Sequence, residues 1–259
     1  MNYGLYLSAS GVLTNMYRQD VFSNNLANVQ TAGYKPDIPY VSQRPPEVLE
    51  DDLGGELSNQ LLDRLGGGVL AGPQRMNFSP GTLQRTSNPL DVALSDKHSF
   101  FVVSSSDPHG GPMQTSLTRD GRFTMDEQGR LTTQAGDVVQ GVGGGPIVIP
   151  PGGEVRITRD GRITRNGEEL GQLRVAHVED TQGLSKLGRN RFALPPGRDI
   201  EPNPTPHIQA GFIEGSGTDP ISALMNIVSA TKSATGNARM IQYHDLLMDR
   251  AVNTLGRVA

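Results

Sequence analysis

The C-terminal segment constrains the fold more than any other part of this chain. Asp219-Pro220 has the form of a helix N-cap followed by a first-turn proline, whose missing N–H is no loss at that position. Beyond it, Leu224, Ile227, Thr231, Ala234, Ala238, Ile241, Asp245, Met248, Val252 and Leu255 recur at alternating spacings of three and four, and eight of the ten are apolar. That is the a/d seam of a long coiled-coil-like helix that needs a helical partner. Ala234 and Ala238 would let a partner approach closely, Asp245 interrupts the seam, and Gly256 is the expected stop. About 36 residues at ~1.5 Å each make a rod about 54 Å long. An amphipathic helix lying on its own domain is the other arrangement this pattern allows.

The N-terminal segment also reads as helix. Residues 3–28 contain no proline. Leu5, Ala9, Val12, Leu13 and Met16 share one face, flanked by Tyr6 and Tyr17. The stripe fades toward Asp20 and Ser23, and the helix must stop before Gly33 and Pro36. Asn24, Asn25 and Asn28 lie where it ends. Asparagine amides bond backbone groups there and compete with continued helix. They serve either as a stop for this chain alone or as a rigid elbow for the connector that follows.

The middle is different in kind. From about 78 to 215, short apolar runs such as Phe100-Phe101-Val102-Val103 and Ile147-Val148-Ile149 alternate with turn dipeptides. Thr118-Arg119-Asp120-Gly121-Arg122-Phe123-Thr124 is echoed by Thr158-Arg159-Asp160-Gly161-Arg162-Ile163-Thr164. Each Asp-Gly predicts a tight hairpin, as does Asn166-Gly167. Shared turn chemistry explains the echo better than a duplicated unit. The fold class is therefore mixed α and β, with long terminal helices bracketing a central antiparallel β domain. The divisions are 1–35 for the N-terminal helix, 36–77 for an extended Gly/Pro-rich connector, 78–215 for the β domain and 216–259 for the C-terminal helix. A short helical turn is expected near Leu61–Leu65.

Most chemistry is excluded. The chain has 259 residues and no cysteine, which removes disulfide scaffolds, thiolate metal sites and cysteine nucleophiles. The formal net charge is -4, so bulk charge does not favour nucleic acid or an anionic membrane. No apolar run is long enough for a transmembrane helix, and the opening residues lack the basic start and unbroken apolar stretch of a cleaved secretory signal. Hydrophobic residues make up only 35%, while glycine and proline number 32 and 18. Such a composition predicts many turns and a partly extended chain. His98, His109, His177, His207 and His244 are not spaced as metal ligands. Gly66-Gly67-Gly68 and Gly143-Gly144-Gly145 lack the Gly-Lys-Ser/Thr that would make them phosphate loops. Ser8-Ala9-Ser10-Gly11 lacks the frame of a nucleophile elbow. Asp126-Glu127 and Glu168-Glu169 abut turn glycines and read as solvated tips, not an acid/base pair. The reading is not an enzyme, with no cofactor and no metal.

Several segments resemble one known family. Asn24-Asn25-Leu26-Ala27-Asn28-Val29 with Thr31, Gly33, Tyr34 and Lys35 is similar to the N-terminal signature of bacterial flagellar rod and hook proteins. Ser87-Asn88-Pro89-Leu90-Asp91-Val92-Ala93 before Phe100-Phe101-Val102 resembles the start of their β region, and Thr118-Arg119-Asp120-Gly121-Arg122-Phe123 their Y-T-R-D-G-x-F stretch. Gly211-Phe212-Ile213-Glu214-Gly215-Ser216 looks like their entry into the C-terminal helix, and Arg239-Met240-Ile241-Gln242 resembles a pattern within it. The matches are in order and span the chain. There are two departures: Thr231-Lys232-Ser233-Ala234 stands near the usual R-x-(Y/F)-E, and Gly217-Thr218 where Asn-Val is usual.

The resemblance implies a basal-body rod protein, closest to the FlgF and FlgG types, with Leu5-Tyr6 and the length leaning toward FlgF. It implies a structural subunit, exported through the flagellar type III apparatus without a cleaved signal. Such subunits polymerise with copies of themselves and with other rod and hook subunits into the periplasm-spanning axial tube that transmits torque. Terminal helices would form the inner tube with the β domain outside. Asn24, Asn25, Leu26, Ala27, Asn28, Thr31, Gly33 and Tyr34 would then be the N-terminal assembly signature. Leu224, Ile227, Ala234, Ala238, Ile241, Met248, Val252 and Leu255 would be the C-terminal seam. Partners would be flagellar, with no nucleic acid and no direct membrane insertion. Another flagellar axial protein such as a hook subunit is the alternative within this class. A β-type carbohydrate-binding module is the alternative outside it, although the chain has no tryptophan. A wall hydrolase is a third reading that no residue set supports.

Overall fold

The computed structural model describes residues 3–45, 66–105 and 114–255. The turn expected near Leu61–Leu65 and the stop at Gly256 lie outside them. The chain forms two compact units. One contains Met1–Ala27, Asp37–Arg75 and Asp219–Ala259; the other contains Asn28–Pro36 and Met76–Thr218.

The first unit is built on two antiparallel helices, α1 (Tyr3–Ala27) and α2 (Pro220–Leu255). Asp219 caps α2 as its sequence predicts: its carboxylate accepts the Ser222 amide at 3.0 Å and also the Ser222 hydroxyl. The helices meet through small residues. A Cβ on Gly4 would stand 2.6 Å from His244 Nε2, and Gly11 lies against the Asn237 amide. On α2, Ala223 and Ala230 are buried, and Ile227, Ala234, Ala238 and Ile241 are half-buried. On α1, Thr14, Asn15, Val21 and Asn25 are buried.

Strand β1 (Asp37–Ile38) follows α1, then β2 (Val41–Gln43), β3 (Val69–Ala71) and β4 (Arg75–Met76). β2 and β3 pair antiparallel, with Val41 opposite Ala71. The Thr14 hydroxyl donates to the Val69 carbonyl at 3.5 Å and the Tyr17 hydroxyl to the Gly72 carbonyl at 3.1 Å. Part of the span read as an extended connector is thus a β-ladder pinned to α1.

The second unit is antiparallel β. Its strands are β5 (Leu83–Arg85), β6 (Val92–Leu94), β7 (Ser99–Ser105), β8 (Gln114–Thr118), β9 (Phe123–Met125), β10 (Leu131–Thr133) and β11 (Val138–Val139). Then come β12 (Val155–Ile157), β13 (Arg162–Arg165), β14 (Glu168–Gln172), β15 (Val175–His177), β16 (Ser185–Gly188) and β17 (Arg191–Ala193). β18 (Glu201–Pro202), β19 (Ile208–Ala210) and β20 (Phe212–Glu214) complete the set. The main sheet has nine strands, seven of them in the order β16-β17-β8-β7-β11-β10-β9, with β15 joining β7 and β18.

β7 is the axis of this unit because its apolar run is buried on both faces. Phe101 and Val103 enter a core with Val92, Phe123, Leu131, Val139 and Ile163. Phe100 and Val102 enter another with Phe78, Leu117, Ala176 and Phe192. Edge-on aromatic pairs, Phe100–Phe192 at 5.9 Å and Phe101–Phe123 at 5.1 Å, lock the two faces.

The two echoed segments adopt different structures. Thr158–Thr164 is a hairpin joining β12 and β13, with Ile157 opposite Ile163 and Gly161 at φ +80°. Asn166 (φ +50°) and Gly167 (φ +88°) turn β13 into β14. Thr118–Thr124 is no hairpin. β8 pairs with β7 and β17 while β9 pairs with β10. Arg119 is drawn into the interior there, and a Cβ on Gly121 would collide with the Val92 carbonyl. Close packing, not turn conformation, calls for that glycine.

Candidate functional site

Among the described residues no constellation of catalytic groups forms. Among the described residues no three His, Cys, Asp or Glu side chains gather closely enough to hold a metal ion. Among the same residues no helix is long and apolar enough to cross a membrane. Asp126 serves its own turn: its carboxylate accepts the Gln128 and Arg130 amides at 2.9 and 2.8 Å and pairs with the Arg130 guanidinium at 2.7 Å.

The features that stand out are surfaces. α1 turns Tyr6, Leu13 and Met16 to solvent, with Leu13 68% exposed. Leu13 and Met16 belong to the stripe legible in the sequence and Tyr6 flanks it, while Leu5, Ala9 and Val12 of the same stripe are half-buried. α2 carries a second apolar face, with Ile221, Leu224, Met225 and Val228 exposed near its start. Toward its end Tyr243, Leu246, Leu247, Met248 and Val252 are exposed. His244 lies opposite Gly4 at the start of α1. The final eleven residues of α2, 245–255, therefore run about 16 Å past the described end of α1. Of the C-terminal seam, the structure half-buries Ile227, Ala234, Ala238 and Ile241 and leaves Leu224, Met248 and Val252 in solvent. Leu255 closes the helix.

The N-terminal signature divides at residue 27. Within the first unit Asn24 is exposed and Asn25 buried, Leu26 is half-buried, and Ala27 is the last residue of α1. The Asn25 amide nitrogen donates to the Asp37 carbonyl at 2.7 Å, and its oxygen accepts the Asp37 amide at 2.9 Å. The points where the chain leaves this unit and returns to it are joined by that amide.

Within the second unit, Asn28 opens a turn in which its side chain accepts the Thr31 hydroxyl at 3.2 Å and its carbonyl accepts the Thr31 amide at 3.1 Å. Residues 31–36 then form a strap whose backbone is occupied almost throughout. Asn190 Nδ2 donates to the Ala32 carbonyl at 2.7 Å, the Gly217 amide to Tyr34 at 2.9 Å and Lys186 Nζ to Lys35 at 2.9 Å. The Asn77 amide donates to Pro36 at 2.9 Å, and the Gly33 amide to the Glu214 carbonyl at 2.7 Å. Gly33 has φ +66°, and a Cβ there would stand 2.5 Å from the Arg119 carbonyl carbon and oxygen, so only glycine fits. Tyr34 is buried beneath the Lys186 ammonium, 4.6 Å from its ring centroid.

Below the strap is a buried charge cluster. Lys35 Nζ lies 2.6 Å from Glu214 Oε1 and donates to the Ser79 carbonyl at 2.9 Å. The Arg119 guanidinium lies 3.4 Å from Glu214 Oε2, donates to the Asp96 carbonyl at 2.5 Å and covers the Phe100 ring at 4.9 Å. Glu214 Oε1 also accepts the Gly81 amide at 2.9 Å. Arg119 and Lys35 are the largest fully buried side chains among the described residues. Burial pushes the Lys35 ammonium below its ordinary value; Glu214 opposes that fall and Arg119 adds to it. Burial likewise lowers Arg119, against the pull of Glu214 and Asp96. Burial resists the ionisation of Asp96. The His98 amide, the Ser99 hydroxyl and the charges of His98 and Arg119 outweigh it, so the carboxyl falls below its usual range.

Lys35, Arg119 and Glu214 each lie in a segment that carries the family resemblance, yet nothing in the sequence indicates that they meet. The only available signal was a cation or anion set among otherwise apolar and turn residues in all three segments.

Comparison with known proteins agrees with this geometry. The family model described as "Flagella basal body rod protein" matches residues 5–35, and that of the "Flagellar hook protein FlgE/F/G D1 domain" matches residues 97–167. The chain is 28% identical over 259 residues to the flagellar basal-body rod protein FlgF of Caulobacter vibrioides, covering 100% of both. It is 28% identical over 262 residues to FlgF of Rhizobium meliloti, covering 99% of both. It is 27% identical over 264 residues to the rod protein FlgG of Bacillus subtilis, covering 96% of this chain and 97% of that one. With the rod model on α1 and the strap, the D1 model on the β unit and end-to-end alignment with rod proteins, the chain is similar over its whole length to the bacterial flagellar basal-body rod proteins.

Proposed function

We propose that this chain is a structural subunit of the flagellar basal-body rod that assembles through its terminal helices, and that it has no enzymatic activity. The observation that carries the reading is the outward apolar surface of α1 and α2. Leu13, Ile221, Met225 and Val252 are each 68% exposed on helices that approach closely where Gly4 meets His244 and Gly11 meets Asn237. A helix pair that displays this many large apolar side chains is built to be covered again. Contacts of that kind between successive copies do not close on themselves and generate a tube. The exposed end of α2 at Leu246, Leu247 and Val252 offers an axial contact, and the a/d repeat of α2 is a coiled-coil seam completed by neighbouring subunits.

On this reading Asn24, Asn25, Leu26, Ala27, Asn28, Thr31, Gly33 and Tyr34 form an elbow that fixes how the chain leaves the axial helix. Torque passes through the helices. Partners are further copies, other rod and hook subunits, and the flagellar export apparatus.

The decisive experiment is complementation of a strain lacking this subunit. Chains missing residues 219–259, or carrying Leu13→Gln with Val228→Gln, are expected to be absent from purified basal bodies and to leave cells non-motile. Full motility with either variant would overturn the reading. Retention of the β unit alone in basal bodies would favour a binding module instead.

A further inference from the structure

The buried cluster at Lys35, Arg119 and Glu214 is more than a packing detail, because its charges come from three distant parts of the chain. Lys35 is on the strap, Arg119 follows β8 and Glu214 ends β20. The Asp96 carboxylate is the other anion acting on Arg119. Arg119 with Asp96 is balanced, and so is Lys35 with Glu214. Lys35 without Glu214 is a buried ammonium beside a guanidinium, an arrangement that burial penalises heavily. Glu214 also accepts the Gly33 amide through its backbone carbonyl and the Gly81 amide through its carboxylate.

We propose that Glu214 is a charge key for the strap. Residues 31–36 seat on the β unit only when β20 has delivered this carboxylate, so the strap and the return segment 212–217 open and close as one element. The N-terminal exit from the β unit is thus completed late, once the chain up to residue 214 has folded. The inference concerns the chain by itself and holds whether or not its helices assemble into a rod.

Native-state hydrogen exchange on the full-length chain tests it. In the wild type the amides of Gly33, which bonds the Glu214 carbonyl, and Gly217, which bonds Tyr34, should exchange through one shared opening. Glu214→Gln keeps the shape and one acceptor oxygen, which can still face Lys35 and Gly81, but removes the charge and turns the oxygen facing Arg119 into a donor. It should speed exchange at both amides by roughly 100-fold, while Val102 and Val103 in β7 change by less than about threefold. The double variant Lys35→Met with Glu214→Gln removes the stranded cation and keeps its apolar stem. It should bring Gly33 and Gly217 back to within about tenfold of the wild type.

Two results would overturn the proposal: an effect of Glu214→Gln confined to Gly81, or a double variant no better than the single one. If Glu214→Gln alone does not fold, the double variant decides: a folded double variant with a protected strap supports the key, and an unfolded one refutes it.

Discussion

The side-chain amide of Asn25 holds the backbone of Asp37 from both sides, donating to its carbonyl at 2.7 Å and accepting its amide at 2.9 Å. Twelve residues apart in sequence, the two positions are the exit from and the re-entry into the helical unit. One buried asparagine therefore closes the excursion that carries residues 28–36 into the β unit.

Replacing Asn25 by Ala removes both bonds and leaves the Asp37 backbone groups without them. The expected cost is about 1–3 kcal/mol. In limited proteolysis, cleavage between residues 26 and 38 should rise while the β unit stays intact. Asn25→Asp keeps the acceptor and loses the donor, and should fall between the two. Unchanged cleavage in both variants would contradict the closing role.

Gly33→Ala places a methyl group against the Arg119 carbonyl at a backbone φ of +66°. Strain and collision act together, and a loss of about 2 kcal/mol or more is expected in urea unfolding of the β unit. Gly136→Ala is the control, since it shares a positive φ but has nothing within 4 Å of the added methyl. It should cost less.

Two pairs of substitutions separate folding from assembly. Phe100→Ala and Phe101→Ala each empty one of the two cores flanking β7 and should destabilise the chain by about 3–5 kcal/mol. Leu13→Gln and Met16→Gln touch exposed side chains and should change monomer stability by less than about 0.5 kcal/mol. Their effect should appear only in incorporation into basal bodies. A strongly destabilised Leu13→Gln monomer would mean that this face is already covered within the chain.

Acid should loosen the start of α2. Hydrogen bonds from the Ser222 hydroxyl and the Ser222 amide hold the Asp219 carboxyl below its ordinary value of 3.8. A depressed carboxyl adds stability that is complete above the unfolded value and is lost as pH falls through the folded one. Circular dichroism of the full chain should therefore show helix loss on acidification below that value. In Asp219→Ala, part of that loss should already be present at neutral pH and the acid step should shrink. An unchanged acid step would remove Asp219 from the account.

Much of this architecture was written in local patterns. The start of α2 was legible because a cap and a first-turn proline act within a single helical turn. Phe100-Phe101-Val102-Val103 announced a strand, and Asn166-Gly167 a hairpin, because few residues tolerate the backbone angles that turn needs. The apolar stripe of α1 was legible too, although the side of the helix it would face was not.

What the linear pattern could not contain was which distant pieces meet. Thr118–Thr124 and Thr158–Thr164 carry nearly the same residues, yet one is a hairpin and the other buries Arg119 and links strands that pair elsewhere. Leu224 and Ala223 are adjacent, and only the packing of α2 in the folded chain decided that the alanine would be buried and the leucine exposed. The sequence by itself determined elements, caps and turns, since those energies act over a few residues. The tertiary structure alone decided that Lys35, Arg119 and Glu214 would share one interior site, because a buried charge is tolerated only beside a partner that the folded chain brings to it.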